Sequence, residues 1–245
     1  MKTITTSVRT TIISSDDSTR TYEVKKTLLD EEGNPVEGKD ATLVGMHPTI
    51  TAAEPYKTDL STNHLVCKMR ELGLRSVRIL NLFSQVCEHE KLSAQGLEVD
   101  KENLSYIESV MKGPGFKGSP FIVAWGNSMS TSKAANLAKA RVAKMFSENN
   151  PQGKPCQLSA PSLALEGEDC VHVLYLGIRH KREPWSLCEY QFPERIATLG
   201  KQAKKGRKKA SKAAERATGD TKANEETLEG GRIESGTLGN GGEAR

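Results

Sequence analysis

The chain has 245 residues, 36% of them hydrophobic and 5% aromatic, with 35 Lys and Arg against 31 Asp and Glu for a formal net charge of +4. That length suits one α/β domain of about 200 residues plus appendages. No apolar run approaches the ~20 residues of a membrane-spanning helix, the N-terminus MKTITTSVRTT lacks the apolar stretch of a secretory signal, and five widely spaced cysteines without a C-x-x-C pair argue against a disulfide framework or a zinc site. A cytoplasmic protein with no membrane attachment, metal or cofactor is therefore expected. The charge is unevenly spread. Residues 1–198 carry 24 basic and 24 acidic side chains, residues 199–218 have a net charge of +7, and residues 219–245 a net charge of −3. Basicity belongs to one local block.

In chain order, residues 7–13 and 19–28 read as two strands around a Ser/Asp turn at 14–18, a hairpin or sheet-edge pair. Residues 30–39 (DEEGNPVEGK) form a loop. The run ATLVGM at 41–46 reads as a short buried strand that breaks on Gly45 and enters the polar loop Met46-His47-Pro48-Thr49. A helix then starts at 59–62, capped by Asp59 or Ser61, with Leu65, Val66, Met69 and Leu72 at helical spacing and Gly73 at its end. The strand at 77–83 follows, which makes a βαβ unit with parallel strands.

Residues 87–99 are a polar connection with a helical turn at 88–92. A helix over 100–111 buries Leu104, Ile107, Val110 and Met111 and stops at Gly113-Pro114-Gly115. A strand at 120–125 and a helix at 130–146 come next, the helix with Ala135, Leu137, Ala138, Val142 and Phe146 on one side. Residues 149–161 read as a loop, 171–176 (VHVLYL) as the last strand, and 178–192 as an extended, charged and aromatic segment. From Gly200 the chain is too poor in apolar residues to offset its ordering entropy. The expected fold is an α/β three-layer sandwich with a mainly parallel central sheet over 1–198. A disordered tail follows at 199–245, basic at 201–216 and then rich in Gly and Glu.

The chemistry concentrates at three strand ends, where ligands bind in open α/β sheets. At the first, Gly45 lets a ligand approach closely, the loop N–H groups and Thr49 can bind it, and His47 can serve as base or hydrogen-bonding group. The plainer reading is a strand-ending turn. At the second, Asn81 within ILNLF needs hydrogen-bond partners, either neighbouring backbone or a ligand. At the third, Trp125 of WGNS can stack on a ring or cover the sheet edge. His172, alternating with Val171 and Val173, reads as structural. His64 and His89 have no metal-ligand spacing. Residues 178–186 (IRHKREPWS) suit phosphate contact and base stacking, or are a solvated loop. The basic block at 201–216 can bind DNA or RNA without sequence preference, or serve solubility. The chain contains no P-loop, no G-x-G-x-x-G after a strand and no G-x-S-x-G.

In that order the stretches GMHPTITA (45–52), 59–61, NLFS (81–84), AWGN (124–127) and YLGIRHKREPWS (175–186) resemble the bacterial and phage family called domain of unknown function 1643, over about residues 8–190. Three departures stand out, the first being Ala52-Ala53, with Glu54 next, where the family has Ala-Asp. His47 occupies the place of the family's Asn before Pro, and Ser186 and Leu187 stand where its closing His-Pro would be. A weaker architectural similarity is to the uracil-DNA glycosylases, in which the first loop positions water, an Asn reads the base and a late loop grips DNA. These resemblances imply His47 and Asn81 as catalytic groups, and Gly45, Pro48, Thr49, Asp59, Ser84, Trp125, Gly126 and Asn127 as substrate contacts. They imply Arg179, His180, Lys181 and Arg182 as nucleic-acid contacts, and the basic composition of the tail adds Lys204, Lys205, Arg207, Lys208 and Lys209. The implied activity is N-glycosidic bond hydrolysis. The alternatives are a non-catalytic nucleic-acid-binding protein and an enzyme or sensor for a nucleoside-like small molecule.

Overall fold

The computed structural model describes residues 1–87, 97–127, 129–164, 170–196 and 198–199. The chain divides into a compact unit, Met1–Lys201, and a second, Gln202–Arg245, which lies outside the described residues together with the basic block. The expected helical turn at 88–92 and His89 also lie outside them.

β1 (Ser7–Ser14) and β2 (Thr21–Leu29) form the expected antiparallel hairpin. The Asp17 carboxylate ties its turn by accepting from Ser15 Oγ at 2.6 Å and Thr19 N at 3.1 Å. β3 (Lys39–Gly45) is the central strand, and its run Ala41–Val44 is buried throughout, as a parallel strand covered on both faces requires. α1 (Leu60–Lys68) is capped by Asp59 and leads into β4 (Leu74–Asn81), which pairs parallel with β3. α2 (Lys101–Lys112), capped by Asp100, buries Leu104, Ile107, Val110 and Met111 as the spacing predicts. β5 (Phe121–Val123) returns beside β3, and α3 (Lys133–Asn149) buries Ala135, Ala138, Val142 and Phe146. β6 (Cys156–Ser159), α4 (Val173–Arg179) and β7 (Ser186–Glu189) complete the order.

The seven-stranded sheet runs β1-β2-β4-β3-β5-β6-β7. β4, β3, β5 and β6 are mutually parallel, and β1, β2 and β7 add antiparallel edges. Alternate residues of the same strands feed two apolar clusters, because successive side chains leave opposite faces. Val44, Leu80, Phe121 and Val123 pack with α2 and α3. Ala41, Leu43, Val77 and Ile122 pack with Leu65 and Met69 of α1 and Val173 and Leu176 of α4. Each fully buried side chain of this size contributes about 1.5–3 kcal/mol.

Three expectations at the C-terminal side are corrected. Residues 171–176 are not a strand. His172 caps a helix, its Nδ1 accepting the Leu174 N–H at 3.1 Å, and Val173, Leu176 and Gly177 are buried at helical spacing. The apolar run VHVLYL satisfies either period, and the cap decides. The segment 149–161 is not all loop, since it contains β6, which is too short to show alternation. The segment 178–192 is not simply extended, because it ends α4 and then forms β7. Among the described residues, no helix is long and apolar enough to cross a membrane.

Candidate ligand-binding site

The connection after β3 goes to β4 on one side, and the next crossover returns to β5 on the other. The loops on either side of β3 therefore diverge and leave a crevice at its C-terminal end. Gly45 pairs in register with Asn81. A Cβ on Gly45 would sit 2.6 Å from Asn81 Oδ1, so the absent side chain makes room for the amide to lie over β3. Asn81 is 7% exposed, and its carbonyl accepts from Asn103 Nδ2 of α2 at 2.7 Å. The strand end is thereby fixed from the other face of the sheet.

The loop after Gly45 is also held. Leu82 N donates to Gly45 O at 3.0 Å, Phe83 N to Met46 O at 3.1 Å, and Cys87 N to Pro48 O at 3.0 Å. From the hairpin, Thr21 Oγ1 donates to Ile50 O at 2.8 Å, and Thr51 Oγ1 donates back to Ser18 O at 2.9 Å. At the N-terminus of α1, Asp59 accepts from Thr62 N at 2.9 Å and from Thr62 Oγ1 at 2.6 Å.

These pieces enclose a cavity of about 280 Å³. Its walls are apolar, including Leu43, Leu65, Ile79 and Val173, and its polar side chains are those of His47, Thr49, Asp59, Ser61, Thr62, Asn81 and His172. Among the described residues, no Lys or Arg lines it. Among the described residues, His47 Nδ1 is buried without a hydrogen-bond partner, and burial pushes the His47 pKa below its ordinary 6.5. Burial lowers the His172 pKa as well, with His47 lowering it further and Asp59 opposing. Both rings are thus biased to the neutral form. Because His172 Nδ1 accepts a backbone N–H, its neutral ring carries the proton on Nε2.

Gly45, His47, Pro48, Thr49, Asp59 and Asn81 all line the cavity. Gly126 does not, but it seats His172: its φ is +67°, and a Cβ there would meet His172 Cβ at 3.0 Å. Trp125 is 1% exposed and belongs to the cluster with α2 and α3, packed against Tyr190 and Phe192. One residue of strand alternation turns it away and leaves Ala124 on the cavity side. Asn127 is exposed. Ser84 is buried and donates through N and Oγ to Asp100, at 2.9 and 2.6 Å, which joins the exit of β4 to the cap of α2.

Arg179, Lys181 and Arg182 are exposed. His180 pairs with Glu183 at 2.9 Å, and Trp185 is 3% exposed, so its ring is not open to a base. Lys204, Lys205, Arg207, Lys208 and Lys209 lie outside the described residues. The functional candidates that sequence reasoning missed are His172, Ser61 and Thr62. The signal for His172 was its place before a V-L-Y-L-G run whose buried positions follow a helical period.

A parallel α/β core with a cavity at the carboxyl ends of its central strands is the class that this fold and site define. Within that class, the chain matches the family described as "Protein of unknown function (DUF1643)" over residues 26–164, and it belongs to that family. The matched stretch holds Gly45, His47, Asp59, Asn81 and Gly126, whereas His172 falls beyond it. No curated protein and no solved structure matches the chain.

Proposed function

We propose that the cavity binds a nucleobase-sized heterocycle and that the chain acts on a nucleobase-containing ligand, within a three-layer sandwich of glycosylase-like architecture. The observation that carries this reading is the buried carboxamide of Asn81 over Gly45, facing a space with apolar walls and, among the described residues, no cationic side chain. An amide presents a donor and an acceptor side by side, as the edge of a base does, and apolar walls suit its faces. In this reading Asn81 pairs with the base edge. His47, biased to neutral, takes a proton from water as the water oxygen bonds to the sugar C1′. The C1′–N bond breaks, its electron pair leaves with the base, and the Nε2–H of His172 donates a hydrogen bond to the departing base. DNA containing uracil or modified pyrimidines, scored for abasic sites, tests this. Release that falls at least tenfold in His47→Ala and Asn81→Ala supports it. No release, and no base binding in the wild type, overturns it.

A second reading is a non-catalytic nucleic-acid-binding protein, favoured by the +7 block at 199–218 and by His47 standing in place of the Asn of the similar family pattern. The tail lysines and arginines, with exposed Arg179, Lys181 and Arg182, would then meet phosphate. DNA retardation that weakens with salt and disappears on truncation after Leu199 supports this reading. Undetectable binding at low salt sinks it.

A further inference from the structure

A second cavity of about 700 Å³ adjoins the first and shares Thr62 with it. It lies between the β1–β2 edge and α1, and Thr10, Thr58, Thr62 and Asn63 supply polar groups. Pro55 and Tyr56 also line it, and Tyr56 is 97% exposed. Lys26 lines it too, and it is 7% exposed. Its ammonium donates to Thr10 Oγ1 at 2.9 Å, and among the described residues no carboxylate lies within ion-pair range. Asp59, on the wall of the neighbouring cavity, is the negative group that acts on it electrostatically. A buried cation with one neutral hydroxyl partner is costly unless an anion joins it. The sheet makes this placement unavoidable, because Lys26 shares the face of Val24, which lines the first cavity two residues along β2.

Arg179 stands at the far end of α4 from the first cavity. His172 caps the cavity end of α4, and Arg179 ends the same helix. Seven residues of helix separate them by about 10 Å.

We propose that Lys26 and the hydroxyls around it form a phosphate subsite, so that the ligand class is a nucleotide, with its base in the first cavity and its phosphate in the second. This rests on the base-binding reading above. The phosphate has two sources, a mononucleotide or the backbone of a single strand, and they share this chemistry. Lys26 supplies the charge, Thr10 supplies the hydroxyl hydrogen-bonded to it, and Tyr56, exposed on the wall of the same cavity, offers a ring to the base next along a strand.

The test is binding of the full-length wild-type chain to thymidine, thymidine monophosphate, a five-nucleotide single strand and inorganic phosphate, repeated with Lys26→Met. The monophosphate should bind about tenfold tighter than the nucleoside or better. Inorganic phosphate should compete with the monophosphate but not with the nucleoside. Lys26→Met should bring the monophosphate to the level of the nucleoside and leave the nucleoside unchanged. A strand binding tighter than the monophosphate, by a margin that Lys26→Met removes, identifies the backbone as the source, and equal binding identifies the mononucleotide.

Equal wild-type binding of nucleoside and monophosphate overturns the subsite without any variant. So does a preference that survives Lys26→Met. If no nucleoside binds, the base reading has failed, and the subsite is judged by inorganic phosphate alone. A phosphate-dependent rise in unfolding temperature that Lys26→Met removes upholds it, and no such rise rejects it.

Discussion

Gly45 and Asn81 act as one unit, because the space that a side chain at Gly45 would fill is occupied by the amide. Gly45→Ala should therefore displace Asn81 while leaving the apolar clusters intact. The expected result is a loss of about 1–3 kcal/mol in base affinity by titration calorimetry, the cost of an unmade buried hydrogen bond. The global unfolding midpoint should change little. An unchanged affinity would show that the amide takes no part in binding. Gly126 plays the matching role for His172, with an added need for its left-handed φ of +67°. Among the described residues of the site, His47 carries an orphaned buried nitrogen. A ligand donor or acceptor aimed at Nδ1 would satisfy it.

The wall opposite the sheet depends on α1 and α4 meeting closely. Gly177 is the contact point: a Cβ there would lie 2.1 Å from His64 Cδ2 and 2.8 Å from His64 Cβ. Rotating the ring cannot relieve the second clash, so the helices must separate. Gly177→Ala should destabilise the fold by about 1–3 kcal/mol in urea unfolding, the usual cost of overpacking. It should also loosen the cavity that α4 closes. An unchanged midpoint would mean that the helices slide freely at this point. On the other face, α2 anchors the strand end through Asn103 and receives Ser84 at its cap. The site is thus supported by elements that do not line it.

Across the whole molecule, pH separates two sets of groups. His47 and His172 have folded pKa values below the ordinary 6.5. Between the folded and unfolded values the unfolded chain binds more protons, so stability rises with pH and falls as pH drops through about 6.5. Asp17 and Glu183 are held down to about 2, Asp17 first by the Ser15 hydroxyl and Glu183 first by that of Ser162. What they contribute is present above their ordinary values of 3.8 and 4.5 and is lost as pH falls toward 2. Unfolding temperature should therefore fall from pH 7.5 to 5.5 as His47 and His172 lose their contribution. His172→Asn should flatten that slope while keeping a capping side chain. A slope unchanged in His172→Asn and His47→Asn would rule out both rings as its source.

Much of this was legible locally. The hairpin, the buried faces of α2 and α3, the parallel pair β3 and β4, and the residues Gly45, His47, Asp59 and Asn81 all follow from periodicity, caps and strand-ending glycines, which are short-range properties. β6, with four residues, and α4, with an apolar run that fits either period, carry too few positions for a pattern to declare itself. The choice between Trp125 and His172 was never local. Trp125 follows a strand whose alternation turns it to the far cluster, and His172 reaches the cavity from a helix more than 120 residues after His47. By itself the sequence determined where the central strand ends and which polar groups stand there. Strand order and the packing of α4 on α1 decided what faces them, because a neighbour across a cavity is set by how the layers close.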